Sequence, residues 1–389
     1  MRYYHLSILA LSGFVTSFGA HIVATNLPSY AEIAGVGAFM IGLLIAVYDL
    51  AELFAKPFAG FVADRRGMKE TLLVGLGVFI FGSFLFFIVD PKLLLVVRFV
   101  QGLGAAALST VSISLVARHL VQGRGRAFGI YNAIKGAGYV IAPALGGFIV
   151  HAASFAMIFG VSGCIGLVTL WLSLLLPQDR TRGEAIEDDE EEITLAQFFS
   201  IFKEPRLLPV YGVIFINMFL VGILFGFLPV YLHSIGYTAV QSGSLLSVAT
   251  ASYLLVQPIA GHLADRIEIR MTVIAGLLVA ALATIMATFT SSVALVAVVI
   301  AAGIGIGTVW TNCDMLVSVL AHQQRLGASM GAAQSFKELG DMVGPLLVGA
   351  LTQLFGVRFG FVSCGILALV LLVLLAKSRA LRADTTASA

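Results

Sequence analysis

The sequence predicts an all-α polytopic membrane protein with twelve transmembrane helices in two pseudo-symmetric six-helix bundles. Three observations predict it. The composition is too apolar for a water-facing surface, twelve apolar segments reach membrane-spanning length, and the first half of the chain matches the second.

Of the 389 residues, 59% are hydrophobic and 11% charged, with a mean hydropathy of +1.00. A soluble domain carries about 25% charged residues, so lipid must cover what water cannot, and the bilayer is the first partner expected. The net charge of +2 points away from nucleic acid. Cys164, Cys313 and Cys364 all fall inside apolar runs, without the paired spacing of a disulfide framework or a zinc site. They are expected to be small buried hydrophobes. The apolar stretch after His5 is too long for a signal-peptide core of about 7–15 residues, and reads as an uncleaved first span.

A spanning helix needs about 20 mainly apolar residues. Segments at 6–30, 37–62, 71–89, 92–118, 127–151 and 154–177 qualify in the first half, and 208–233, 239–263, 271–290, 292–320, 327–354 and 357–376 in the second. This divides the chain into an N-terminal bundle (1–177), a linker (178–207) and a C-terminal bundle (208–389). The linker holds the acidic run from Glu187 to Glu192, read as a solvated spacer, and an apolar stretch from Leu195 to Phe202 suited to a short helix on the membrane surface.

Charge sets the orientation. With both termini inside, the inner segments hold 17 of the 23 Lys and Arg residues, Arg118 among them, the outer loops hold only Lys92 and Arg358, and four lie within spans. Both termini are therefore expected in the cytoplasm.

A repeat appears at an offset of about 201 residues. Pro57-Phe-Ala-Gly-Phe-Val-Ala-Asp64-Arg65 at the end of span 2 answers to Pro258-Ile-Ala-Gly-His-Leu-Ala-Asp265-Arg266 at the end of span 8. Leu27-Pro28-Ser-Tyr30 matches Leu228-Pro229-Val-Tyr231, and Lys135, Gly138 and Pro143 match Lys337, Gly340 and Pro345 with identical spacing. The chain is a duplicated six-helix unit, and parallel repeats suit a central site that alternates between two sides.

The loop after span 2 reads Gly60-Phe-Val-Ala-Asp64-Arg65-Arg66-Gly67-Met-Lys69. Gly60 is expected to let another helix approach closely, and Asp64, beside two arginines at a membrane boundary, is suited to a breakable ion pair or to a helix N-terminus. Such a latch holds one conformation and releases in another; the simpler alternative is an orientation signal made of basic residues. Span 4 contains Arg98-Phe-Val-Gln101-Gly102-Leu-Gly104. Span 5 contains Gly136-Ala-Gly138-Tyr-Val-Ile-Ala-Pro143-Ala-Leu-Gly146-Gly147, whose small residues give a smooth packing face and whose proline permits a bend.

An ionisable side chain within a span costs a few kcal/mol or more and marks a functional position by default. Span 2 carries Asp49, Glu52 and Lys56 on one face, span 4 Arg98, span 5 Lys135, span 10 Asp314, and span 11 Lys337, Glu338 and Asp341. Some can neutralise one another, Glu52 with Lys56 and Lys337 with Asp341. The acid pairs Asp49/Glu52 and Glu338/Asp341 remain, and two carboxylates close together in low dielectric do not comfortably both ionise. Asp49, Glu52, Asp314, Glu338 and Asp341 are therefore the candidate proton carriers. His21, Asn26, Arg98, Asn132, Lys135, Asn217, Trp310, Asn312 and Lys337 are candidate substrate contacts, with helix–helix hydrogen bonding the competing explanation for His21, Trp310 and each asparagine.

These motifs carry a resemblance across essentially the whole chain. The Gly60 to Lys69 loop resembles the signature loop of the major facilitator superfamily, and the Arg98-to-Gly104 stretch resembles the family's second motif. The span 5 run is similar to the family's antiporter motif, except that Ala142 replaces the glycine before the proline. The second loop has Ile267 and Glu268 where the first has Arg66 and Gly67, so its copy is degenerate. The resemblance implies two bundles with spans 2 and 11 beside a transport path. It implies gating or structural roles for Gly60, Asp64, Arg65, Arg66, Gly67, Lys69, Gln101, Gly102, Arg118, Gly138, Pro143, Gly146, Gly147, Asp265 and Arg266.

No nucleotide loop, HExxH, GxSxG or metal-ligand cluster appears, so neither an enzyme nor a cofactor is expected. The reading is a monomeric, proton-coupled exporter of small amphipathic molecules in the cell membrane, similar to bacterial drug–proton antiporters. The alternative is a metabolite exporter or proton symporter for a sugar, organic acid or siderophore, with Arg98, Lys135 and Lys337 suited to an anionic substrate.

Overall fold

The computed structural model describes residues 3–119, 124–177, 204–264, 267–290, 292–320 and 326–377, and among these residues it is helical with no β-strand. The helices of the first half are α1 (Tyr3–Ala24), α2 (Leu27–Ala34), α3 (Ala38–Arg66), α4 (Met68–Leu85), α5 (Leu94–His119), α6 (Arg124–Ala152) and α7 (Phe155–Ser173). Those of the second half are α8 (Leu208–Val221), α9 (Leu228–Ser234), α10 (Ala239–Ala264), α11 (Ile269–Met286), α12 (Ser292–Leu320), α13 (Leu326–Phe355) and α14 (Val357–Lys377). They make twelve spans. Eleven are long and apolar enough to cross a membrane by composition; α13 has the length, 30 residues, but Lys337, Glu338 and Asp341 interrupt its middle. The acidic run and the surface helix expected at 195–202 lie outside the described residues.

Spans 1 and 7 depart from the expected continuous helices. Span 1 turns at Thr25 and Asn26 and restarts as α2, whereas span 7 passes from α8 through a π-helical segment, Gly222–Phe227, into α9. In both, the Leu-Pro pair begins the new helix, with proline in its first turn, where a missing N–H costs nothing. The motif opens a short helix in each half.

The chain separates into two compact units, Met1–Ile186 with Phe225–Ser247, and Glu187–Leu224 with Val248–Ala389. In the first, α1 lies along α6, and α5 packs against both α3 and α4. Gly102 and Gly104 make that possible. A Cβ on Gly102 would stand 2.5 Å from the Tyr48 carbonyl of α3, and one on Gly104 2.8 Å from the Gly75 carbonyl of α4. In the second unit, α8 lies along α13 and α11 along α12, with Gly303 against the Ala249 carbonyl and Gly305 against that of Gly276. Each of these residues sits 201 positions after its counterpart, so the duplication extends to individual backbone contacts. Cys313 and Cys364 are buried as expected, but Cys164 is exposed.

Candidate functional site

Among the described residues, each unit buries a cluster of charge. In the first, Tyr48, Asp49 and Glu52 of α3 and Arg98 of α5 are all at least nine-tenths buried. Glu52 pairs with Lys56 at 2.5 Å in the favourable i,i+4 order. Arg98, 1% exposed, donates Nε–H to the Leu44 carbonyl at 3.3 Å and Nη1–H to Gln101 Oε1 at 3.5 Å, and its guanidinium lies 4.2 Å over the Tyr48 ring. Gln101 then donates to the Ser83 hydroxyl at 2.9 Å, which donates to the Phe79 carbonyl. A fixed cation is thus wired into three helices, and both Asp49 and Glu52 act on it electrostatically. Gly102 sits one residue beyond Gln101, at the point where α5 presses on Tyr48.

Other expected contacts are arranged around this cluster or away from it. His21 Nδ1 lies 3.0 Å from the Ser17 carbonyl, its ring stands edge-on to Tyr139, and it is within electrostatic reach of Arg98 and Lys135. Asn26 takes part in helix packing: its amide donates back to the Ile22 carbonyl at 2.8 Å and packs beneath Gly146. Asn132 is exposed on α6.

The glycine run of span 5 forms a seam. Gly138 packs against Phe14 and Phe18 of α1, Gly146 against Ile22, and Gly147 against the Ala239 carbonyl at the start of α10. A further residue was not legible in the sequence. Ser247 of α10 donates its hydroxyl to the Val140 carbonyl at 2.5 Å and accepts from the Ala144 N–H at 3.1 Å, bridging two positions of one helical turn beside Pro143.

In the loop between α3 and α4, Gly67 takes φ +108, which an L side chain rarely adopts. Lys69 donates to the Leu174 carbonyl at 2.9 Å and to that of Leu176, satisfying carbonyls beyond the end of α7. In the second unit Arg270 donates to the Ala376 carbonyl in the last turn of α14. The close approach expected at Gly60 is not made: a Cβ there would meet only Thr110 Cγ2, at 3.8 Å. Arg66 is exposed. The side chains of Asp64, Arg65 and Arg118 are not among those described, and Asp265 and Arg266 lie outside the described residues.

The second cluster joins α12 and α13. Lys337, 4% exposed, donates to Asp314 Oδ1 at 2.7 Å and lies 4.5 Å over the Trp310 ring, which Tyr253 meets edge-on. The expected pairing of Lys337 with Asp341 is thereby corrected. Asp341 instead packs against Gly222 of the π-helical segment, where a Cβ would stand 2.9 Å from its Oδ1. Glu338 is half-buried on the same helix. Asn217, Trp310, Cys313 and Lys337, with Ile214 and Met218, line one small cavity. Asn312 is turned away from it, donating to Thr272 Oγ1 at 2.9 Å to hold α12 on α11.

A sequence model of the Major Facilitator Superfamily matches residues 9–254 and again 210–387. Multidrug resistance protein 2 of Bacillus subtilis (strain 168) is 23% identical over 375 residues, covering 93% of this chain and 92% of that protein. Quinolone resistance protein NorA of Staphylococcus aureus (strain MRSA252) is 25% identical over 205 residues, 52% of this chain and 53% of its own. Among solved structures, an inward-facing, unoccupied bacterial homolog of the human lysosomal transporter Spinster superposes with a TM-score of 0.84 at 16% identity, covering 98% of this chain and 97% of that one. A D-xylose-proton symporter gives 0.76 at 16%, covering 96% and 97%. At these identities the structures speak for the fold.

Proposed function

This chain belongs to the Major Facilitator Superfamily, a family of transporters and not of enzymes, and on that footing we propose that it exports small amphipathic molecules across the cell membrane in exchange for protons, by alternating access. The observation that carries the reading is the cluster of Asp49, Glu52, Lys56 and Arg98 inside the first unit. Three of these four are nine-tenths buried, far from the polar surroundings that would make such charge cheap. Protonating Asp49 or Glu52 changes the charge that Arg98 and Lys56 must balance, which biases one packing of α3 on α5 against another. The names of the two resistance proteins support the export of drug-like molecules, and the excess of positive charge supports cytoplasmic termini on both sides of a linker at 178–207.

The test is transport in vesicles of purified protein under an imposed pH gradient, using ethidium, D-xylose and benzoate as probes. Uphill movement of ethidium against the proton flow is expected. Xylose or benzoate moving together with protons, with ethidium unmoved, would overturn export in favour of a metabolite symporter.

A further inference from the structure

The groups around Lys337 are those that would recognise a cation brought from outside. A carboxylate, Asp314 Oδ1, stands 2.7 Å from its ammonium and an indole face 4.5 Å away. A carboxylate with an aromatic face is the chemistry that binds organic cations. Asn217 adds an acceptor. It is 2% exposed, lines the same cavity, gives its Nδ2–H to the Ile306 carbonyl at 3.4 Å, and its Oδ1 has no hydrogen-bond partner among the described residues. The remaining wall is Ile214, Met218 and Cys313, which suits an apolar body.

We propose that Asp314, the Trp310 ring and Asn217 form a receptor for a lipophilic cation, in which Lys337 is the resident stand-in that gives up one proton when the substrate takes its place. The proposal rests on the export reading above and names its substrate class. The exchange balances: the Lys337 ammonium loses H⁺ to water and becomes a neutral amine, the incoming cation takes over the carboxylate, and the charge of the site is unchanged. One cation enters for one proton released. Lysine suits this role because a buried ammonium can discharge, whereas a guanidinium cannot. The small cavity fits the same account, since the substrate needs the space that the ammonium now fills. An anionic substrate would find this lysine already neutralised and would have to settle beside Asp314.

Other titratable groups lie on the helices that pack around the pair. Cys313 comes from α12 beside Asp314, and Tyr211 is the one titratable side chain of α8, its hydroxyl donating to the Ser329 carbonyl. Helix α14 carries Arg358, Cys364 and Lys377, and α13 itself carries Glu338 and Asp341. Substitution at Lys337 separates its proton from theirs.

The experiment is calorimetric titration of the full-length protein in detergent with tetraphenylphosphonium, in weakly buffered solution with a pH-indicating dye, and tetraphenylborate as the anionic control. Wild type is expected to release about one proton per cation bound, with affinity rising by up to about tenfold for each unit of pH. Lys337→Met should bind without proton release and with a flat pH profile. Lys337→Arg keeps the ion pair but cannot discharge, so it should lose binding at least about tenfold; it decides the matter alone if the methionine variant fails to fold. Wild type that binds the cation without releasing a proton, a Lys337→Met that still releases one, or binding of tetraphenylborate in place of the cation would overturn the proposal. Gradient-driven ethidium export without this exchange would sink the receptor and leave the export reading. The exchange without gradient-driven export would do the reverse.

Discussion

The two units share a frame and differ in what they hang on it. Gly102 on the Tyr48 carbonyl answers to Gly303 on the Ala249 carbonyl, and Lys69 at the end of α7 answers to Arg270 at the end of α14. The buried charges of the first cluster do not follow. The positions 201 residues after Asp49, Glu52 and Arg98 are Thr250, Tyr253 and Val299. The second unit instead places its ion pair on α12 and α13, as Asp314 and Lys337, and uses Tyr253, the counterpart of Glu52, to buttress Trp310. Backbone contacts between helices fix the scaffold twice over, while the polar side chains are free to give each copy its own chemistry.

The largest expected effect tests that division of labour. Asp49→Asn or Glu52→Gln should bring proton-driven transport down to the level of protein-free vesicles, while Thr250→Val, at the counterpart of Asp49, leaves it near wild type. Transport of ordinary pH dependence in both acid variants would mean that the first cluster is not where the units differ. Next come the shared contacts. Gly102→Ala and Gly303→Ala each force a methyl against a backbone carbonyl, and overpacking of this kind costs about 1–3 kcal/mol. Thermal unfolding in detergent should show comparable losses, and a fall in one variant alone would break the equivalence of the frames.

A smaller effect is expected at the loop acids. If Asp64 latches one conformation, about 1.4 kcal/mol suffices to shift a two-state ratio tenfold. Asp64→Asn should then change the labelling of single cysteines placed at the cytoplasmic ends of α6 and α10 more than Asp265→Asn does; equal labelling refutes an asymmetric latch. The smallest effect concerns the backbone where α3 passes into α4 and α10 into α11. Gly67 has φ +108 but its counterpart Glu268 has φ −51. Gly67→Ala should therefore cost about 1 kcal/mol of stability, and Glu268→Ala close to nothing, in the same unfolding assay.

The spans, the duplication and the buried charges were all legible in the sequence, because length, apolarity and offset are properties of single segments. The partners were not. The i,i+4 rule matches Lys337 with Asp341, yet its partner stands 23 residues back on another helix, and which face α12 turns to α13 is a matter of packing rotation. Asn312, two residues from Asp314, points to Thr272 for the same reason. Gly60 looked like a contact glycine from its motif, but the contacts fall to Gly102 and Gly104.

The Ser247 bridge makes α6 into a strut with a removable pin. Val140 C=O and Ala144 N–H are four residues apart, the natural partners of an α-helical turn, and each also bonds to the serine hydroxyl. If α10 slides and withdraws the pin, the two can serve each other, so one set of bonds replaces another and the net cost stays near the ~1 kcal/mol of a single exchanged hydrogen bond. Pro143, beside the bridge, has no N–H to offer residue 139 and leaves the strut supple at that height. In that event the flexing of α6 at Pro143 would follow the position of α10, as a ratchet pawl follows its wheel, and a hydroxyl group would be the tooth.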